Sequence, residues 1–107
     1  MMSALPASVD GAPARDSQPY LATWGSPAIV LRCGVERPEA LRPTSRCDVI
    51  DGIGWFAEQQ SEGWRFTTIG RSGYVEVTVP SHWAPEADAL VDLAPAVSRM
   101  PQVHPCR

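Results

Sequence analysis

The chain has 107 residues, with 12 acidic and nine basic side chains and a formal net charge of −3. That balance excludes a nucleic-acid binder of the ordinary kind, whose affinity comes from a basic stripe set against phosphates. The length fits one domain, residues 1–107, expected to bury about two-thirds of the surface its unfolded chain exposes.

Apolar residues make up 44% of the chain and charged residues 20%, a globular rather than a disordered composition. Eleven prolines and eight glycines point to a loop-rich fold of short elements. Every basic residue is Arg, which reads as the codon usage of a GC-rich genome, the lesser alternative being anion recognition by guanidinium forks. No run approaches the ~20 apolar residues of a membrane helix. A signal peptide, with its basic start and apolar run, is also missing. Taken alone that points to the cytoplasm; the cysteines point outside it.

In chain order, Met1 to Leu5 reads as the end of an apolar turn or helix stopped by Pro6. Residues 7–26 are rich in Pro, Gly, Ala and Asp and read as an extended connection, pinned to the core by Tyr20, Leu21 and Trp24. Residues 28–33 are a strand candidate, β-branched and bounded by Pro27 and Gly34. A loop follows to Ser45, then a short strand from Asp48 to Asp51 and a turn or bulge at Gly52-Ile53-Gly54. Residues 55–60 and 64–69 suggest a hairpin joined through Ser61, Glu62 and Gly63, and Tyr74 to Val79 is the clearest strand.

Period-2 alternation puts Val75, Val77 and Val79 on one face with Ile29, Leu31, Trp64 and Phe66. The other face should gather Arg32, Glu58, Arg65, Thr67, Glu76 and Thr78. Leu90, Leu93, Ala94 and Val97 have helical spacing. Pro95 is tolerated only in a first turn, so Asp92 is assigned as N-cap and the helix as Leu93 to about Met100. The expected fold is α+β: a small antiparallel sheet of about four to five strands over 27–80, a helix on one face within 81–107, and a Pro/Gly-rich N-terminal segment over 1–26.

Three cysteines, Cys33, Cys47 and Cys106, are the disulfide candidates, and an odd count leaves one over. A Cys33–Cys47 bridge would close a loop worth about 3 kcal/mol, and Cys106 could staple the tail to the body. The same cysteines with His82 and His104 could hold zinc, but no C-x-x-C or H-x-x-x-H knuckle is present, so no metal site and no cofactor are assigned.

No catalytic constellation stands out. Ser81 and His82 are chain neighbours, which do not normally face each other, and Ser72 lies in a turn-like Gly70-Arg-Ser-Gly73 without a nucleophile elbow. Asp48 and Asp51 lack the acidic density of a calcium loop, and Gly52-Ile53-Gly54 is no phosphate loop. Glu58 and Glu76 could act as paired carboxylates or form cross-strand ion pairs with Arg32 and Arg65. Of Trp24, Trp55, Trp64 and Trp83, the last sits in a loop and is the one expected to be exposed for contact.

The segments Trp24-Gly-Ser-Pro-Ala-Ile-Val-Leu-Arg-Cys-Gly-Val-Glu-Arg-Pro38, Val49-Ile-Asp-Gly-Ile-Gly-Trp55 and Tyr74-Val-Glu-Val-Thr-Val-Pro80 resemble the actinobacterial "domain of unknown function 3515" proteins. The resemblance runs from Leu5-Pro6 to the Leu90–Leu93 segment. It implies an exported protein or lipoprotein with an N-terminal anchor and a small envelope-facing domain, and no biochemical activity is established for the family. Members commonly carry a cysteine upstream of the segment matching Met2–Pro6, which implies an alternative pairing of that cysteine with Cys33 and of Cys47 with Cys106. This chain begins after that anchor and cysteine, so a longer natural protein is expected.

The expectation is a noncatalytic, extracytoplasmic domain, secreted or membrane-anchored, that binds a partner protein or cell-wall component. Arg32, Glu58, Arg65 and Glu76 on the polar sheet face, with Trp83, are its contact candidates. The alternative is a small wall-acting hydrolase using Glu58 or Glu76.

Overall fold

Valines at every second position make Tyr74–Pro80 the natural centre of a sheet, since one face of that strand must leave water. The computed structural model, which describes residues 1–105, places it there. In chain order the strands are β1 (Ser8–Val9), β2 (Ala12–Gln18), β3 (Leu21–Trp24), β4 (Ile29–Val35), β5 (Asp48–Ile50), β6 (Ile53–Gln60), β7 (Gly63–Ile69) and β8 (Tyr74–Pro80). They form one antiparallel sheet in the order β1-β2-β3-β4-β8-β7-β6-β5. One helix, α1 (Asp88–Val97), follows.

The α+β class and the C-terminal helix are as the sequence suggests, but the sheet has 8 strands rather than four or five. The extra ones come from the N-terminal segment, which is not a mere connection. β1 and β2 are joined through Asp10 and Gly11, both at positive φ. β2 pairs with β3, and β3 with β4. After Ala12 every residue of β2 is exposed, so backbone hydrogen bonds rather than apolar alternation hold it in place. Tyr20 is 72% exposed and pins nothing, whereas Trp24 is 1% exposed and its indole N–H donates to the Pro6 carbonyl at 3.0 Å.

The helix also differs from its expected span. It begins at Asp88, with the amides of Asp88, Ala89 and Leu90 bonded to the carbonyls of Pro85, Glu86 and Ala87 and no side-chain cap. Pro95 lies inside the helix, where it gives no N–H to the Val91 carbonyl. Both residues face solvent, so water can satisfy that carbonyl. Asp92 is not a cap; its Oδ2 accepts the Asp10 amide at 2.7 Å and ties α1 to the β1–β2 turn.

One core forms between α1 and the inner face of the sheet. Leu90, Leu93, Ala94 and Val97 meet Ile29, Leu31, Val75, Val77, Val79, Trp24 and Trp55. Thr67 and Thr68 are buried and polar; on the inner face the Thr68 hydroxyl accepts the Val75 amide at 2.9 Å and donates to the Gly73 carbonyl.

No disulfide joins two described residues, and Cys33 is a free, half-buried thiol on β4. The Cys33–Cys47 loop closure is therefore corrected. Alternation explains why: Cys33 stands opposite Val75 on the inner face, packed against the core. Cys47 is a disulfide cysteine, and Cys106 lies outside the described residues. Among the described residues the tail is held by hydrogen bonds: the Ser72 amide donates to Pro101, the Val103 amide to Gly70, and the Arg71 guanidinium to the Met100 carbonyl.

Candidate functional site

Because α1 occupies the inner face, the outer face of the central strands is the one left to other contacts. The register arranges it in two rows. Arg32 stands opposite Glu76, which stands opposite Thr67, which stands opposite Phe56. Beside them, Val30, Thr78, Arg65 and Glu58 align in the same way. All the polar residues that alternation assigned to this face are brought together there, although Thr67 is buried. Arg65 donates through Nε to Glu58 Oε1 at 3.3 Å, an ion pair with a half-exposed guanidinium. Arg32 and Glu76 face each other without closing one. Such pairs add little to stability, so a fold alone does not demand the arrangement.

Trp83 departs from its expected exposure. It belongs to a 3-10 turn, Ser81–Trp83, and is half-buried. Its indole N–H donates to the Pro27 carbonyl at 2.8 Å, and its ring lies so close over Gly25 that a β-carbon there would come within 2.7 Å of Cζ2. This makes it a clamp on the β3–β4 turn. His82 meets its edge at 4.8 Å between ring centroids, while Ser81 is exposed. His104 lies at the other end of β8, beside Gly70. Among the described residues no group of three His, Cys, Asp or Glu side chains is placed to hold a metal.

Two clefts stand out among the described residues. The first, of about 200 Å³, lies where the crossover loop from β4 to β5, residues 36–47, meets the sheet and the tail. Arg37, Arg42 and Ser45 come from the loop, Ile69 and Tyr74 from the sheet, and His104 from the tail. Alternation along β7 and β8 puts Ile69 and Tyr74 on the outer face, two residues beyond Thr67 and Glu76. The cleft therefore adjoins the polar rows. Leu41 also lines it and is buried apart from the main core, which anchors the loop over this end of the sheet.

The second cleft, of about 340 Å³, opens on the inner face beyond α1. Trp64 and Phe66 stack along it with centroids 6.2 Å apart, and the Arg46–Asp48 pair and Glu86 stand at its rim. Neither cleft includes Glu58 or Glu76. Sequence reasoning missed both, because each is assembled by loops whose course alternation does not report.

A family model described as a protein of unknown function, DUF3515, matches residues 1–105. The chain belongs to the DUF3515 family. Comparison with curated proteins and with solved structures returned no match. The DUF3515 assignment thus brings no residue roles with it, and the roles here rest on geometry. Among the described residues, no helix is long and apolar enough to cross a membrane.

Proposed function

We propose that this DUF3515 domain is a noncatalytic, extracytoplasmic binding module that contacts a partner protein or cell-wall component through the outer face of its sheet. The observation that carries the reading is the pair of cross-strand rows containing Arg32, Glu76, Arg65 and Glu58 on the face opposite α1. Arg32 is exposed and Glu76 half-buried, and neither side chain has a hydrogen-bond or ion-pair partner among the described residues. Catalysis by the two carboxylates is less well supported. Glu58 is committed to Arg65, and neither glutamate lines either of the two clefts, where a substrate would be gripped. Trp83 stays outside the proposed contact surface, since its polar atom is already engaged.

Resemblance to exported, anchored envelope proteins supports the location. Co-sedimentation with purified cell wall, together with cross-linking in intact envelopes, tests the reading. Reversing the charge with Arg32→Glu should weaken one of these associations by about tenfold. Undiminished association of that variant would reject this face. Release of soluble wall fragments by the wild type, lost in Glu76→Gln, would replace binding with hydrolysis.

A further inference from the structure

We infer that the cleft beneath the crossover loop is a binding site for a phosphoryl group, carried on a small phosphate monoester and gripped by Arg37 and Arg42 with help from Ser45, Tyr74 and His104. This does not depend on the sheet-face reading, because the residues are different and the ligand is a small molecule.

The charge distribution is the first reason. Acidic residues outnumber basic ones, 12 to nine, yet two arginines and no carboxylate side chain line this cleft among the described residues. Glu36 and Glu39 belong to the same loop but are exposed and lie outside the lining. A local concentration of positive charge in a net-negative molecule is not a by-product of composition.

The state of the two guanidinium groups is the second. Among the described residues the side chain of Arg37 has no hydrogen-bond or ion-pair partner, so its donors are uncommitted. Arg42 spends only Nη1, on the carbonyls of Glu39 and Leu41, which fixes its stem while Nε and Nη2 remain. Its own amide bonds the Ser45 hydroxyl at 2.8 Å, and the Ser45 amide returns to the Arg42 carbonyl at 2.9 Å. The loop is thus folded on itself and anchored by buried Leu41, which positions Arg42 before any ligand arrives.

The donor set selects the anion. A planar carboxylate is saturated by one or two guanidinium forks. Here Tyr74, His104 and Ser45 line the same space from three separate parts of the chain, His104 with Nδ1 against the Pro105 carbonyl at 3.1 Å and Nε2 left over. Donors from several directions match a tetrahedral oxyanion with many lone pairs. A volume of about 200 Å³ is smaller than the pocket of a drug-sized ligand, and Leu41, Pro43 and Ile69 give it an apolar wall. A phosphoryl group with a short organic substituent fits both features.

Titration of the full chain with inorganic phosphate and with phenyl phosphate, followed by NMR of the Tyr74 and His104 side chains, tests this. Saturable shifts are expected, with phenyl phosphate tighter because of the apolar wall. Arg37→Gln should weaken both by about tenfold or more. The substituted group is exposed and unpartnered, so the fold is not at risk. Arg99→Gln, at another exposed and unpartnered arginine, should change nothing. Linear shifts without saturation would overturn the site. Equal losses in Arg37→Gln and Arg99→Gln would do the same by reducing the effect to general charge. Acetate binding as tightly as phosphate would overturn the choice of a tetrahedral anion.

Discussion

Trp24 and Trp55 are both fully buried in the same core, yet their indole N–H groups fare differently. That of Trp24 is bonded to Pro6, whereas Trp55 Nε1 has no partner. Replacement by Phe removes similar volume at each site, so the difference between the two variants isolates the polar atom. Trp24→Phe strips the Pro6 carbonyl of its donor; Trp55→Phe deletes a buried group that is already unsatisfied. Urea denaturation should show Trp24→Phe the more destabilising by about 1–3 kcal/mol. Equal losses would mean that Trp55 finds a partner in solution. Thr68 offers the converse test. Its hydroxyl stands in for a strand partner of the Val75 amide, so Thr68→Val keeps the shape but orphans a buried N–H. A loss of about 1–3 kcal/mol is expected by the same measurement. Neither role was legible in the sequence, where Thr68 is one more β-branched strand residue and all four tryptophans look alike.

Elements were legible in proportion to how strongly burial patterns them. β4, β6, β7 and β8 alternate because one face of each is apolar, and their spans lie within a few residues of the expected ones. β2 shows no such signal, since it lies near the sheet edge and is exposed on both sides after Ala12. The helix misleads for another reason. The residue that looks like a cap, Asp92, is used on the β1–β2 turn, and the true start is closed by backbone bonds that leave no mark on the sequence. Pro95 argues against the first part of the helix in sequence, but a proline on the solvent side is tolerated at a cost. Pro95→Ala should restore the bond to the Val91 carbonyl and stabilise the protein by about 1 kcal/mol or more. Thermal unfolding would detect it as a rise in Tm. A fall would mean that proline's restriction of the unfolded chain outweighs the missing bond.

At the scale of the whole molecule, the placing of β8 matters most. The chain leaves β4, crosses to the far edge through residues 36–47, and returns as β5 to β8 until β8 docks beside β4. That crossover brings Arg37 and Arg42 to Tyr74, and the docking brings Arg32 opposite Glu76. The face of each residue could be read from alternation; the strand order that makes them neighbours could not. The same order leaves two consecutive meanders, β1–β4 and β5–β8, joined by a single ladder. If that ladder and α1 make them one cooperative unit, native-state hydrogen exchange should give the bonded amides of β3 and β4 the same opening free energy as those of β7 and β8. The short edge strands β1 and β5 should open first. Core continuity argues for the single unit, because Leu31 and Val77, directly paired across the ladder, lie with Leu90 and Leu93 in one buried cluster. Two plateaus differing by more than about 1 kcal/mol would instead show that the meanders unfold separately. The cleft, whose loop begins in one meander and ends in the other, would then open with whichever is the weaker.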